Sequence, residues 1–165
     1  ITSIREVWWD ISPHPEFGKI VLRLCVATPS LTEACALAGL AQTLVAWCLQ
    51  RIDSGELPAP PREWTVSENR WLAGRYGIDA TLIVETEEGK PQRRPVRELV
   101  AELVDELGPT ADLLGTRSQL ERVLEILRTG SGTERQRRVV EGGGTLLDVV
   151  HHLAHELASD EPRTS

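Results

Sequence analysis

The chain has 165 residues, 41% apolar and 26% charged, and a net charge of −7, which is the length and composition of one globular domain with its own core. The acidic balance disfavours nonspecific binding to nucleic acid, which needs a basic surface, but leaves room for a local basic patch. No apolar run reaches the ~18 residues of a membrane span, no basic-then-apolar leader opens the chain, and the absence of Met reads as a processed, trimmed or excised segment of something longer.

In chain order, Arg5 to Ile11 alternates, with Val7, Trp9 and Ile11 on one side, and reads as a strand. Ser12 to Gly18, with Pro13 and Pro15, is a break. Lys19 to Val26 is a second strand. Its Ile20, Leu22, Leu24 and Val26 are expected to meet a core, and Lys19, Val21, Arg23 and Cys25 share the other face. Leu31 to Ile52 reads as a long, mostly buried helix with Thr32 as its N-cap. Cys35 and Cys48 within it are expected to be small core residues. With Cys25 they stand at spacings unlike a zinc site, and three cysteines fit reduced thiols in a cytoplasm.

Asp53 to Trp64, with Pro58, Pro60 and Pro61, is the main loop. Ser67 caps a short helix, Glu68 to Tyr76, which stops at Gly77. Asp79 to Glu85 is a third strand, and Glu87 to Lys90 a turn. The remainder is helical. Val96, Leu99, Val100, Leu103, Val104 and Leu107 repeat at helical spacing, with a stop at Gly108-Pro109 and a short turn over Ala111 to Leu114. Further helices are expected at Gln119 to Arg128, Glu134 to Val140 and Leu146 to Ala158, capped by Ser118, Thr133 and Thr145, followed by a frayed tail. Strands first and helices after argue one α+β domain over residues 1–165.

Several chemical signals are weak. Gly142-Gly143-Gly144 follows no strand and precedes no Lys, so it is a connector and not a phosphate loop. His151 and His155 share a helix face, but His152 stands where a zinc-protease motif has Glu, so the pair reads as solvated or dimer-facing. Arg135, Arg137 and Arg138 read as a solvated helix face, with an anion site as the alternative. The stronger signal is a cation on an element that should be packed: Arg23 in mid-strand, and Asn69, Arg70 and Arg75 on a short helix with Trp71 and Tyr76. Such guanidinium groups must reach solvent, a carboxylate or a bound anion. Ion pairs with the chain's own acidic residues and a phosphate or carboxylate ligand both satisfy that requirement.

These residues carry a family resemblance. The stretch Trp9-Asp10-Ile11, with Pro13, Pro15, Phe17 and Gly18, resembles the Trp-Asp-Ile-Arg-Pro segment of the carboxylate–amine ligases called glutamate–cysteine ligase type 2. That family follows it with a strand Gly-Thr-x-Glu-x-Arg-x-x-Asp, in which Gly18 and Arg23 fall in register. An Ala/Leu-rich helix then matches Ala34 to Trp47. An Asn-Arg-x-x-Ala-x-Arg-Tyr-Gly motif matches Asn69, Arg70, Ala73, Arg75, Tyr76 and Gly77. Gly130, Gly132, Arg135-Gln136 and the glycine run before Leu146-Leu147 also match.

The resemblance covers nearly the whole chain as the C-terminal half of such a ligase. It implies part of a glutamine synthetase-like antiparallel sheet followed by a mainly helical region, and acyl-phosphate chemistry with ATP and Mg2+. Arg23 is implied as the catalytic phosphate contact, and Lys19, Asn69, Arg70 and Arg75 as nucleotide- or substrate-binding residues. Three of the four departures fall on the second strand: Val21 replaces the Glu that resembles a magnesium ligand, Val26 the Asp and Lys19 the Thr, while Ser12 before it replaces the Arg. Valine cannot ligate a hard cation, so no metal ligand is assigned within the chain, and Lys19 offers positive charge in place of the ion. The expected partner is therefore an N-terminal ligase half or a paralogous ligase subunit, with a small-molecule carboxylate and an amine as substrates. The rival expectation is a non-catalytic pseudoenzyme that stabilises or regulates an active paralogue.

Overall fold

The computed structural model describes residues 10–25, 27–86 and 89–160. Most of the expected first strand lies outside them. Two antiparallel hairpins and six helices make up the described fold, in agreement with the α+β expectation.

The first hairpin pairs β1 (Ile11–His14) with β2 (Lys19–Leu22), Ile11 opposite Leu22 and His14 opposite Lys19. Strand β1 thus runs through the segment read from its prolines as a break. Pro13 is tolerated because a two-stranded ribbon leaves half its ladder positions unpaired. The turn follows one residue later, a single 3-10 turn over Pro15–Phe17 that ends on Gly18. Strand β2 ends at Leu22, four residues earlier than the alternation predicted.

Residues facing each other across an antiparallel pair share a side. Ser12, His14, Lys19 and Val21 therefore lie on one face, and Ile11, Pro13, Ile20 and Leu22 on the other. The apolar face was expected to meet a core. Instead Ile11, Ile20, Leu22 and Leu24 are exposed, because no element among the described residues packs over it.

Helix α1 (Leu31–Ser54) is capped by the Ser30 hydroxyl, which accepts the Glu33 N–H at 3.1 Å, and not by Thr32. Its length and apolar composition would suffice to cross a membrane. One side of it, however, packs on α3 (Val96–Leu114) and α4 (Arg117–Thr129). The core consists of Ala36, Val104, Leu107, Ala111, Leu120 and Val123, with Leu40, Leu44, Trp47, Val100, Leu103, Leu124 and Ile126 against it. Gly39 lets α1 approach α4: a Cβ there would stand 2.5 Å from the Gln119 Cβ. Cys35 is exposed and Cys48 half-buried, since neither lies on the Ala36–Gly39–Leu40–Thr43 stripe that makes the contact.

Helix α3 runs unbroken through Gly108-Pro109, where a stop was expected. The 3–4 repeat continues from Val104 and Leu107 to Ala111, and burying that stripe outweighs the backbone hydrogen bond that Pro109 removes. Strand β4 (Pro91–Pro95) was not foreseen, because Gln92, Arg93 and Arg94 carry no apolar pattern. It pairs with β3 (Thr81–Glu85) and leads directly into α3.

Helix α2 (Glu63–Tyr76) begins four residues before its expected cap and packs on β3. Helices α5 (Gly132–Glu141) and α6 (Leu146–Ser159) each carry a full capping box, Ser131 with Glu134 and Thr145 with Asp148. Asp160, expected to fray, accepts the Thr32 N–H at 2.9 Å and the Thr32 hydroxyl at 2.6 Å.

Candidate anion-binding site

The register extends the polar face of the first hairpin one step past the paired residues. Arg23 donates its backbone N–H to the Asp10 carbonyl at 2.7 Å, which places it at the open end of the hairpin, just beyond β2. Asp10 then turns its carboxylate to Arg70 on α2, 2.9 Å from Nη2. Asp10 therefore joins the Trp-Asp-Ile segment to the Asn-Arg motif, a contact between residues 60 positions apart that spacing alone does not reveal.

Arg70 lines a shallow groove, largely open to solvent, on the exposed face of α2 with Ser67, Trp71, Gly74 and Arg75. Helical spacing brings these residues to one side, since positions three and four apart are neighbours. Gly74 leaves the floor open, as nothing lies within 4 Å of where its Cβ would be. Trp71 and Tyr76 meet edge to face with centroids 6.0 Å apart, and the Arg75 guanidinium lies 5.9 Å from the Tyr76 ring. Trp71 and Tyr76 are both half-exposed. The groove thus offers two guanidinium groups and an aromatic edge, a combination suited to phosphate or carboxylate beside a planar ring.

Asn69 and Lys19 stand apart from that groove. Both ends of the Asn69 amide are engaged by Ile83, donating to its carbonyl and accepting its N–H, each at 2.7 Å, so Asn69 fastens α2 to β3. Lys19 lies near the hairpin turn with Nζ 5.1 Å from the Phe17 ring. Four residue steps, about 13 Å of extended chain, separate it from Arg23. At the centre of the polar face, Val21 is opposite Ser12, and neither can serve as a carboxylate ligand. Among the described residues no three His, Cys, Asp or Glu side chains converge as a metal site.

A second constellation went unseen in the sequence. Arg135, read as part of a solvated face, is 1% exposed. It donates Nε to Glu156 Oε1 at 2.7 Å and Nη1 to the Gly130 carbonyl at 2.5 Å, and its Nη2 stands 2.8 Å from Glu33 Oε1. His152, not the exposed His151 and His155, is the buried histidine of α6, with Nε2 3.2 Å from Glu156 Oε1. Burial pushes the Glu33 carboxyl above the usual carboxylate range despite the opposing pull of Arg135. The only clue in the sequence was that Glu33, Arg135 and Glu156 sit on the apolar sides of their helices.

The fold and site define an α+β module with a cation-lined groove beside a hairpin whose apolar face is uncovered among the described residues. The chain belongs to glutamate-cysteine ligase family 2, which it matches over residues 1–152. It is 47% identical over 163 residues to a Frankia casuarinae protein named "Putative glutamate–cysteine ligase 2-1", covering 98% of this chain and 42% of that protein. It is 43% identical over 162 residues to "Putative glutamate–cysteine ligase 2" of Thermobifida fusca, covering 98% of this chain and 40% of that protein. A Frankia alni relative is 44% identical over 163 residues, covering 98% and 42%. The chain thus spans about two fifths of the length of these curated relatives.

Proposed function

We propose that this chain is a subunit or fragment of an ATP-dependent carboxylate–amine ligase, and that it supplies cations to the phosphate and carboxylate groups of the reaction. In that reaction a substrate carboxylate oxygen attacks the γ-phosphorus of ATP and ADP departs. The nitrogen of an amine then attacks the acyl carbon, loses a proton and expels phosphate, which leaves an amide. The observation that carries this reading is the chain Arg23–Asp10–Arg70, which links the hairpin's polar face to the groove holding Arg75. Arg23 would contact the transferring phosphoryl group. Arg70 and Arg75 would hold nucleotide or carboxylate, with Asn69 keeping α2 in place and Lys19 adding positive charge at the hairpin turn. Mg2+, when bound with ATP, would neutralise phosphate charge. Val21 and Ser12 offer it no carboxylate, so its ligands would come from outside this chain.

The uncovered apolar face of β1–β2 supports assembly with an N-terminal ligase half or a paralogous subunit, because an isolated two-stranded ribbon is marginal in water. The setting we propose is the cytoplasm, where ATP is available and Cys25, Cys35 and Cys48 stay reduced.

Val21 opposite Ser12 also favours a second reading, a pseudoenzyme that supports an active paralogue. The two separate by co-purifying the chain with the products of its neighbouring genes and assaying ATP hydrolysis and amide formation. The catalytic reading expects Arg23→Ala to lower kcat/KM of the complex by roughly 100-fold, the scale of one lost electrostatic contact to a transition state. A complex whose activity is untouched by Arg23→Ala leaves only the supporting role. Amide formation by the chain alone with Mg2+ would sink both readings.

A further inference from the structure

The main apolar cluster is built from α1, α3 and α4; among the described residues α5 adds nothing to it and α6 buries only Val149, which lies outside that cluster. Those two helices pack chiefly on each other. Two polar fasteners hold them to α1. One is Asp160, just past α6, on the Thr32 N–H and hydroxyl. The other is the cluster of Glu33 from α1, Arg135 from α5, and His152 and Glu156 from α6, every member less than a tenth exposed.

The cluster contains two carboxylates, one guanidinium and one imidazole. With both carboxylates ionised and the imidazole neutral it would carry one uncompensated negative charge in a site closed to water, an arrangement that desolvation strongly opposes. One additional proton restores neutrality, and two places can take it: the Glu33 carboxyl and the His152 ring. Glu33 Oε1 and His152 Nε2 are also the two buried side-chain atoms that lie near a charged partner without hydrogen-bond alignment.

We propose that α5–α6 is a separately detachable unit, locked onto α1 by this proton-sharing cluster, so that its docking loosens as pH rises. The charged groups facing Glu33 are Arg135 from α5, Glu156 from α6 and Asp160 beyond it. Burial favours the neutral Glu33 carboxyl in the docked state, which therefore binds the proton more tightly than the undocked one. The stabilisation is complete in acid and is lost as pH rises through the docked-state value. The lock makes no use of the ligase reading.

Hydrogen–deuterium exchange, corrected for intrinsic rates and followed from acid to alkaline pH, tests it on the intact protein. Protection of residues 132–159 should fall relative to residues 96–129 by up to about tenfold per pH unit between the undocked and docked values of the proton carrier, and level off above the docked one. Glu33→Gln or His152→Gln, whichever removes the proton carrier, should abolish that fall. Exchange of both regions in parallel at every pH, or a fall retained in both variants, overturns the proposal. If neither variant folds, carboxyl and imidazole titration curves by NMR on the unsubstituted protein decide. A midpoint for Glu33 or His152 that coincides with the opening supports the lock, and opening that coincides with neither refutes it.

Discussion

Arg135 is the largest fully buried side chain among the described residues. It is 1% exposed and touches two carboxylates and a backbone carbonyl. Arg135→Ala would leave Glu33 and Glu156 facing each other without a cation, a change that costs roughly 3–5 kcal/mol in buried pairs, and the urea midpoint should fall accordingly. Asp160 behaves in the opposite sense to Glu33. Hydrogen bonds from the Thr32 hydroxyl and N–H hold its carboxyl below the usual aspartate range. Its contribution is therefore present above the unfolded value and lost as pH falls through the folded one. Unfolding followed towards strong acid should show Asp160→Asn flattening that loss. The sequence displayed neither residue's role. Arg135 stands in an Arg-rich run and Asp160 in a polar tail, and each acquires its charged or side-chain partners from residues more than 20 positions away.

At the level of elements, α3 tests how far burial outweighs local propensity. Pro109 is exposed within a continuous helix, so its ring contributes little packing while its missing N–H weakens the turn. Pro109→Ala should raise stability by about 1 kcal/mol or more, less than the ~3 kcal/mol of an unaccommodated proline, and a thermal melt measures it. Gly108-Pro109 looked like a stop because those two residues were weighed apart from the Leu107–Ala111 stripe that carries the helix through. Capping chemistry was legible where it was strictly local, as at Thr145 and its helix α6. It misled by two residues at α1 and at α5, where several hydroxyls compete and geometry selects Ser30 and Ser131.

For the whole molecule, the main feature is the separation of a packed three-helix core from a hairpin whose apolar face is uncovered among the described residues. Ile20 and Leu22 are exposed in this chain, so Ile20→Ser with Leu22→Ser should change the stability of the chain alone by less than about 0.5 kcal/mol, the usual surface value. The same pair should weaken assembly with an N-terminal ligase half or paralogous subunit by tenfold or more, since burying two such side chains is worth roughly 3 kcal/mol. Calorimetry on the chain and a binding titration with the partner check the two halves. Equal loss in both would show that the face belongs to this chain's own core.

The sequence by itself determined the α+β class, the apolar stripes of α3 and α4, the cap of α6 and the family, because each is written in residues close together or in motifs that keep their order. It also placed Arg23, Arg70 and Arg75 among the candidate cations. Only the tertiary structure decided what those cations and the buried charges meet. Asp10 reaches Arg70 across 60 residues, Glu33 reaches Arg135 across about 100, and the hairpin's apolar face meets nothing among the described residues. Periodicity shows which side of an element seeks burial. Which partner covers that side, and which charge follows it inward, depends on contacts between distant elements that no local pattern encodes.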